Sequence, residues 1–103
     1  TPKTVGSFVT LEFPVAENGT YEISARYTRA GDYGRVQAAL DGRPLGRPFD
    51  GFNRGVIPSG RVGLGLEYLR RGKHVMRFTV VGKNDDSSGF FVGIDAIGLV
   101  RKY

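Results

Sequence analysis

The chain contains no cysteine and only one histidine among its 103 residues. Without cysteine there is no disulfide, no thiolate metal site and no cysteine nucleophile. The single histidine, His74, follows a Gly-Lys turn, and no serine or aspartate can be tied to it in a catalytic arrangement. Nothing in the sequence pairs two of its ten acidic residues across a cleft, as glycoside hydrolysis requires. The sequence therefore predicts a domain that is not itself an enzyme.

Long apolar runs are also missing. No segment approaches the roughly 20 residues that a membrane-spanning helix needs, and we expect no signal peptide within the residues given. The length suits one domain, and we expect residues 1–103 to form it. Because the chain starts at Thr1 without a methionine, we expect it to be a processed form or a module of a larger protein.

The formal net charge is +5, but the basic residues are spread along the chain rather than gathered in one run. A run of Lys and Arg is typical of a nucleic-acid-binding arm, so a nucleic-acid partner is disfavoured. A dispersed positive charge fits either a solvated surface or an anionic polysaccharide partner. Binding to an acidic polymer would be recognised by its collapse at high salt.

Sixteen glycines punctuate short segments in which apolar and polar residues alternate. Phe8 to Val15 alternates, and Asn18-Gly19 predicts a turn before a second alternating run, so the two runs are predicted to form a hairpin or meander. Pro14 is expected to lie in an edge strand or near the end of its strand, because proline cannot donate to a ladder. The predicted inward residues of these runs are Val9, Leu11, Phe13 and Val15, then Tyr21, Ile23, Ala25 and Tyr27.

Later segments continue the pattern. Residues 35–40 form a strand, Asp41-Gly42 a turn, and 49–60 an irregular segment. Alternation resumes at 62–66, and Arg71-Gly72-Lys73 predicts a turn. After a polar loop, a last strand is predicted from Phe90 to Val100. The expected core positions are Val36, Ala38, Leu40, Val62, Leu64, Leu66, Met76, Phe78, Val80, Ile97 and Leu99. Such spacing predicts an antiparallel β-sandwich of jelly-roll type with about eight strands.

Four segments together resemble a known family. They are residues 18–27 (NGTYEISARY), 32–42 (DYGRVQAALDG), 69–78 (LRRGKHVMRF) and 88–99 (SGFFVGIDAIGL). Their order and spacing resemble the galactose-binding-like jelly rolls that accompany bacterial glycoside hydrolases as carbohydrate-binding or accessory modules. The resemblance implies a non-catalytic domain of a secreted or periplasmic carbohydrate-active enzyme. It departs from that family in lacking tryptophan and in having no acidic residue before Phe8.

The resemblance also implies a binding end of the sandwich, formed by loops that carry Tyr33 and Asn84. An exposed ring for the sugar face and planar polar groups for its hydroxyls suit this role. The predicted ligand-binding residues are Tyr33, Asn84, Arg35, Asp32 and Phe52. The alternative for Tyr33 is a lid over the core, and for Phe49 and Phe52 a small satellite core under the loop.

No metal site is predicted firmly, but calcium has weak candidates in Asp85, Asp86 and Asp95. Asp85 and Asp86 suit an Asx-type turn equally well, and Asp95 is expected to be buried against backbone amides or an arginine. The alternative to sugar binding is a structural or oligomerisation domain. In that case Phe49, Phe52 and Phe90 would form the contact with a catalytic domain or a second copy.

Overall fold

A computed structural model describes residues 5–90 and 92–103. Seven strands form in this part of the chain, and no helix does. Their bounds are β1 Phe8–Val15, β2 Gly19–Arg29, β3 Arg35–Leu40, β4 Arg43–Asp50, β5 Ile57–Leu69, β6 Gly72–Gly82 and β7 Gly93–Arg101. Phe91, which the sequence placed in the last strand, lies outside the described residues. Across the described ranges there is also no helix long and apolar enough to cross a membrane.

The strands form two antiparallel sheets that face each other. One sheet has four strands in the order β1-β6-β3-β4, and the other has three in the order β5-β2-β7. The predicted jelly-roll sandwich is therefore confirmed. The predicted pairing of the first two strands is wrong, because β1 pairs with β6 while β2 pairs with β5 and β7. Residues 16–18 carry the chain from one sheet to the other. An alternating pattern identifies a buried face but not the partner strand.

The core lies between the sheets and follows the alternation of the central strands. β2 contributes Ile23, Ala25 and Tyr27, while β6 contributes Met76, Phe78 and Val80, and all six are at most 2% exposed. The β3 residues Val36, Ala38 and Leu40 are equally buried, as predicted. Ile97 and Leu99 of β7 are half-buried and pack against this core. The core between the two sheets is thus formed mainly by side chains of β2, β3 and β6.

Two expected core residues lie on the surface instead. Leu66 is 53% exposed because β5 has a bulge beside Gly65, which has a φ of +134°. The extra residue reverses the faces that follow it, so that Leu69 becomes the buried one. Leu11 is 37% exposed because β1 is an edge strand and covers less of the core. The expectation for Pro14 is confirmed, because it lies in an edge strand and one residue before the end of that strand.

β4 was not predicted as a strand, because Pro44 and Pro48 interrupt its pattern. It is the other edge of the four-stranded sheet, where a missing N–H costs no ladder hydrogen bond if it faces solvent. Its Leu45 and Phe49 are buried in the main core.

The ends of β2, β4 and β6 and the starts of β3, β5 and β7 meet at one end of the sandwich. Arg35 is paired with both Asp50 and Gly82, and Thr28 is paired with Gly93. The segments 30–34, 51–56 and 83–90, called here the loop end, therefore lie together.

Candidate functional site

The loop end is held together by hydrogen bonds between its three segments. The Ala30 N–H donates to the Gly51 carbonyl at 3.0 Å, and the Gly51 N–H donates to the Gly34 carbonyl at 3.0 Å. Ser87, a buried residue, donates its hydroxyl to the Tyr33 carbonyl at 2.8 Å. The loops are thus ordered by one another rather than left open around a cleft.

Asp50 ties together several predicted ligand-binding residues. Its carboxylate accepts from the Asn84 side-chain amide at 2.9 Å and from the Phe52 N–H at 3.0 Å, and the Arg35 Nε lies 3.9 Å away. Asn84, Arg35 and Phe52 therefore meet around an acid that sequence reasoning did not single out. Asp32 is half-buried in the neighbouring segment. The structure brings these predicted residues to one end, where three of them already contact Asp50.

Tyr33 is half-buried, and its ring lies against the backbone of Gly93. A methyl group built on Gly93 would lie 2.8 Å from Tyr33 Cε2. The space beneath, lined in part by Tyr27, Val36 and Phe49, holds only about 10 Å³. This arrangement favours the interpretation of Tyr33 as a lid on the core.

The structure also shows where the three phenylalanines of the expected protein contact lie. Phe49 is 8% exposed, and its ring stacks on Tyr27 at 4.1 Å between centroids with an interplanar angle of 12°. It belongs to the main core, so both the satellite-core and the surface-contact expectations for it are wrong. Phe52 and Phe90 are half-buried at the loop end.

The three calcium candidates lie in two different environments. Asp85 and Asp86 are exposed in a turn in which Asn84 Oδ1 accepts from the Asp86 N–H at 3.0 Å. Asp95 was expected to be buried but is exposed, and it accepts from the Thr28 hydroxyl at 2.9 Å. The bulge in β2–β7 pairing at Arg26 and Tyr27 turns it outward. No group of three or more His, Cys, Asp or Glu side chains forms among residues 5–90 and 92–103.

His74 lies at the opposite end of the sandwich and links two turns. Its Nδ1 is 2.6 Å from Asp41 Oδ2, and its Nε2 is 2.7 Å from the Arg70 carbonyl. The Arg70 carbonyl and the Asp41 carboxylate raise the pKa of the His74 imidazole. Because both ring nitrogens lie next to hydrogen-bond acceptors, His74 links the turn at Asp41 to the turn at Arg70.

A groove runs along the outer face of the four-stranded sheet, and sequence reasoning missed it. Its volume is about 690 Å³, within the range of known ligand pockets. The outward-facing positions of β3 and β6 form its floor, and Asp41-Gly42 closes one end. The lining residues are Gln37, Ala39, Asp41, Gly42, Pro44, Val75, Arg77, Thr79 and Val81. We call it the sheet-face groove.

The groove is open because of the three residues that lie side by side across its middle. Arg77 of β6 is directly opposite Ala39 of β3, which is opposite Pro44 of β4. Ala39 is small, and Arg77 leans the other way, toward β1, where its guanidinium carbon lies 4.2 Å from the Phe8 ring centre. The outward alternation of residues 75–81 was visible in the sequence, but the pairing that sets Ala39 beside Arg77 was not.

Comparisons with known proteins agree with the fold. A xanthan lyase from Paenibacillus is similar over 98% of this chain, with a TM-score of 0.87 and 25% identity. A family 35 carbohydrate-binding module from an environmental isolate is similar over 93% of the chain and 66% of its own, with a TM-score of 0.63 and 16% identity. A GH26-CBM35 β-(1,4)-mannanase from Podospora anserina is similar over 97%, with a TM-score of 0.62 and 21% identity.

The chain has the jelly-roll fold of these modules. It spans only 10% of the xanthan lyase chain and 20% of the mannanase chain. No family model matches the sequence, and no curated protein matches it. The predicted resemblance to galactose-binding-like jelly rolls is confirmed in fold.

Proposed function

We propose that this chain is a non-catalytic carbohydrate-binding module of a larger carbohydrate-active protein, and that the sheet-face groove holds the glycan. The observation that carries the site is the groove itself, about 690 Å³ and open along the sheet. The solved structures of similar fold include a family 35 carbohydrate-binding module and a mannanase that contains one. We further propose that the module is secreted or periplasmic and that its binding partner is a polysaccharide.

The groove has the chemistry that sugar rings need. The side chains of Val75, Val81 and Pro44 offer apolar surface for the C–H faces of the rings, and the Thr79 hydroxyl offers a polar contact for sugar hydroxyls. From Val75 to Val81 the floor spans seven residues of one strand, or about 20 Å over six steps of 3.3 Å each. A run of this length suits a chain of several sugars rather than a single ring.

The loop end is the site that the sequence predicted, and it is kept as the alternative location. Against it stand the contacts of Asn84 and Arg35 with Asp50 and the packing of Tyr33 on Gly93. A ligand there would have to exchange these contacts for its own, whereas the sheet-face groove is open. A calcium requirement would point to the loop end, where Asp85 and Asp86 lie.

The test is a glycan array that includes xanthan and β-1,4-mannan, run with and without chelator. Three variants accompany the wild type. Ala39→Tyr fills the groove, Ala96→Tyr is the matched control on the exposed outer face of the other sheet, and Tyr33→Ala tests the loop end. We expect binding that is lost only in Ala39→Tyr. Binding lost only in Tyr33→Ala would move the site to the loop end, and no binding by the folded protein would overturn the proposed function.

A structural role has one observation in its favour. Leu66, Tyr68 and Val100 are 49–59% exposed, and all three lie on the outer face of the three-stranded sheet. This face could contact the rest of a larger protein or a second copy. Sedimentation at increasing concentration, with Leu66→Ser as the variant, would detect self-association. An unchanged sedimentation coefficient would exclude a second copy as the partner.

A further inference from the structure

We infer that a second copy of this chain pairs with the free edge of β7, so that two three-stranded sheets join into one six-stranded sheet. β7 is the outer strand of its sheet in the order β5-β2-β7, and among the described residues no strand pairs with its far side. The N–H and C=O groups along that side can pair with a further strand. Pairing of this kind does not depend on where a glycan binds.

The other outer strands carry features that discourage edge pairing, and most of β7 does not. β1 contains Pro14, β4 contains two prolines, and the register of β5 shifts twice against β2. The bulge of β7 lies at Asp95, and residues 96–101 keep an unbroken register with β2. Residues 96–100 include neither a proline nor a charged side chain. Prolines, charges and bulges are the usual protection of a sheet edge, so β7 is the edge most open to a partner.

The sequence of β7 is chemically self-complementary about Gly98. When two copies pair in antiparallel fashion with Gly98 opposite Gly98, apolar residues meet apolar residues and an acid meets a base. The opposed pairs are Ile97 with Leu99, Ala96 with Val100, and Asp95 with Arg101. A two-fold axis makes each pair occur twice, so one short segment supplies both halves of the contact. This pattern favours a second copy over an unrelated strand.

Pairing also covers apolar side chains that a single copy leaves partly open. Ile97 and Leu99 pack against the core but are only half-buried, because no further strand of the described chain lies beside β7. Val100 is 49% exposed on the outer face. A neighbouring β7 would remove part of this surface from water. Because the interface is one strand wide, it lies below the roughly 1,200 Å² at which stable complexes begin, and we expect a weak, reversible dimer.

The charged ends set the direction and register of the pair. Asp95 is exposed and accepts a hydrogen bond from the Thr28 hydroxyl at 2.9 Å. Arg101 lies 3.3 Å from the carboxylate of Glu17, and both of these side chains are largely exposed. Exposed ion pairs contribute little, so Arg101 can turn to the Asp95 of a second copy at small cost. A parallel pair would instead set Asp95 against Asp95.

The dimer has a consequence for the sheet-face groove. Strands that join side by side keep the core faces of both copies on one side, so the two four-stranded sheets lie on that same side. Both grooves then open in the same direction. This consequence rests on the proposed function, since it gives the dimer two glycan sites for one polymer and a gain in avidity.

Cross-linking tests the register, because the chain has no cysteine of its own. Ala96→Cys and Val100→Cys are made separately in the 103-residue chain and oxidised mildly, each alone and as an equal mixture. Only the mixture sets two thiols directly opposite, whereas in either variant alone they lie four residues apart, or about 13 Å. The control is Ala96→Cys mixed with Leu66→Cys, which lies on the same outer face but on β5. Circular dichroism checks that each variant is folded.

Charge reversal tests the two ends of the pair. Asp95→Lys sets a positive charge against the Arg101 of the partner, and Arg101→Glu sets a negative charge against its Asp95. Sedimentation equilibrium should show that each variant alone associates about fivefold more weakly than the wild type. An equal mixture of the two variants should recover the dimer, because both ends then become attractive. A defect confined to the fold of one variant would not recover on mixing.

We expect the wild type to form dimers as its concentration approaches about 1 mM, and the Ala96→Cys and Val100→Cys mixture to cross-link at least tenfold faster than the control. A chain that stays monomeric would overturn the inference and leave the β7 edge to another part of a larger protein. Cross-linking no faster than in the control, or no recovery on mixing the charge variants, would also overturn it. None of these outcomes bears on glycan binding by a single groove, which the glycan array tests separately.

Discussion

The guanidinium carbon of Arg77 lies 4.2 Å from the centre of the Phe8 ring, across two neighbouring strands of one sheet. Phe8 is paired with Thr79 and Arg77 with Thr10, so the contact is a diagonal one. It draws the longest side chain of the groove toward the sheet edge and leaves the space above Ala39 open. The same contact thus shapes the groove and orients Arg77, which is the only arginine among the described residues that line it.

Replacement of Phe8 by alanine should loosen Arg77 without removing its charge. An exposed cation–π pair contributes about 0.5–1 kcal/mol, so Phe8→Ala should lower the free energy of unfolding by at least about this amount. Phe8→Tyr keeps the aromatic face and should retain most of the stability, and urea unfolding of the two variants measures the difference. Equal loss of stability in both variants would mean that the aromatic face does not hold Arg77.

The loop end should be sensitive to a methyl group at Gly34. A Cβ there would lie 2.9 Å from the Gly82 carbonyl oxygen and 3.2 Å from the Phe90 Cα, and neither backbone atom can move alone. We expect Gly34→Ala to lower the free energy of unfolding by about 1–3 kcal/mol, as overpacking does. Gly63→Ala is the control, since nothing lies within 4 Å of its Cβ. Urea unfolding of the two variants should differ; equal stability would contradict the close packing described.

The contact between His74 and Asp41 should make stability depend on pH. Hydrogen bonding to the Arg70 carbonyl and to Asp41 raises the pKa of His74 above 6.5 in the folded state. Burial raises the pKa of the Asp41 carboxyl, but hydrogen bonds from His74 and the Val75 N–H outweigh it, so the pKa falls below 3.8. The histidine contribution is therefore complete below pH 6.5 and lost as pH rises through the raised pKa. The aspartate contribution is complete above pH 3.8 and lost on acidification.

Both contributions are present between pH 3.8 and 6.5. We expect the midpoint of urea unfolding to fall between pH 6 and pH 9 by more in the wild type than in His74→Gln, which cannot titrate. The matched control is Lys73→Gln, an exposed neighbour that should keep the wild-type pH dependence. The same pH dependence in the wild type and His74→Gln would show that this contact does not stabilise the charged imidazole.

Much of the fold could be predicted because period-2 alternation reports burial directly. Residues 76–80 and 36–40 alternate without interruption, and their inward side chains form the core. Alternation failed at Leu66, where the bulge at Gly65 reverses the face, and at β4, where two prolines hide an edge strand. It also gave no information on partners, so β1 and β2 were wrongly paired.

The candidate site was harder to predict for the same reason. The loops that carry Tyr33 and Asn84 could be recognised from glycine and polar residues, and the structure does place them together. The sheet-face groove depends on three strands that are distant in sequence and on one small residue, Ala39, standing between Arg77 and Pro44. Such a groove appears only once the register of the strands is known.

The most direct test of the account is to map the amide signals of the ¹⁵N-labelled chain while the glycan found on the array is added. We expect the largest shifts on Ala39, Arg77 and Thr79, along the floor of the sheet-face groove. The signals of the loop end should stay nearly unchanged. Shifts confined to Asp32, Tyr33 and Asn84 would contradict the account and return the site to the loop end that the sequence predicted.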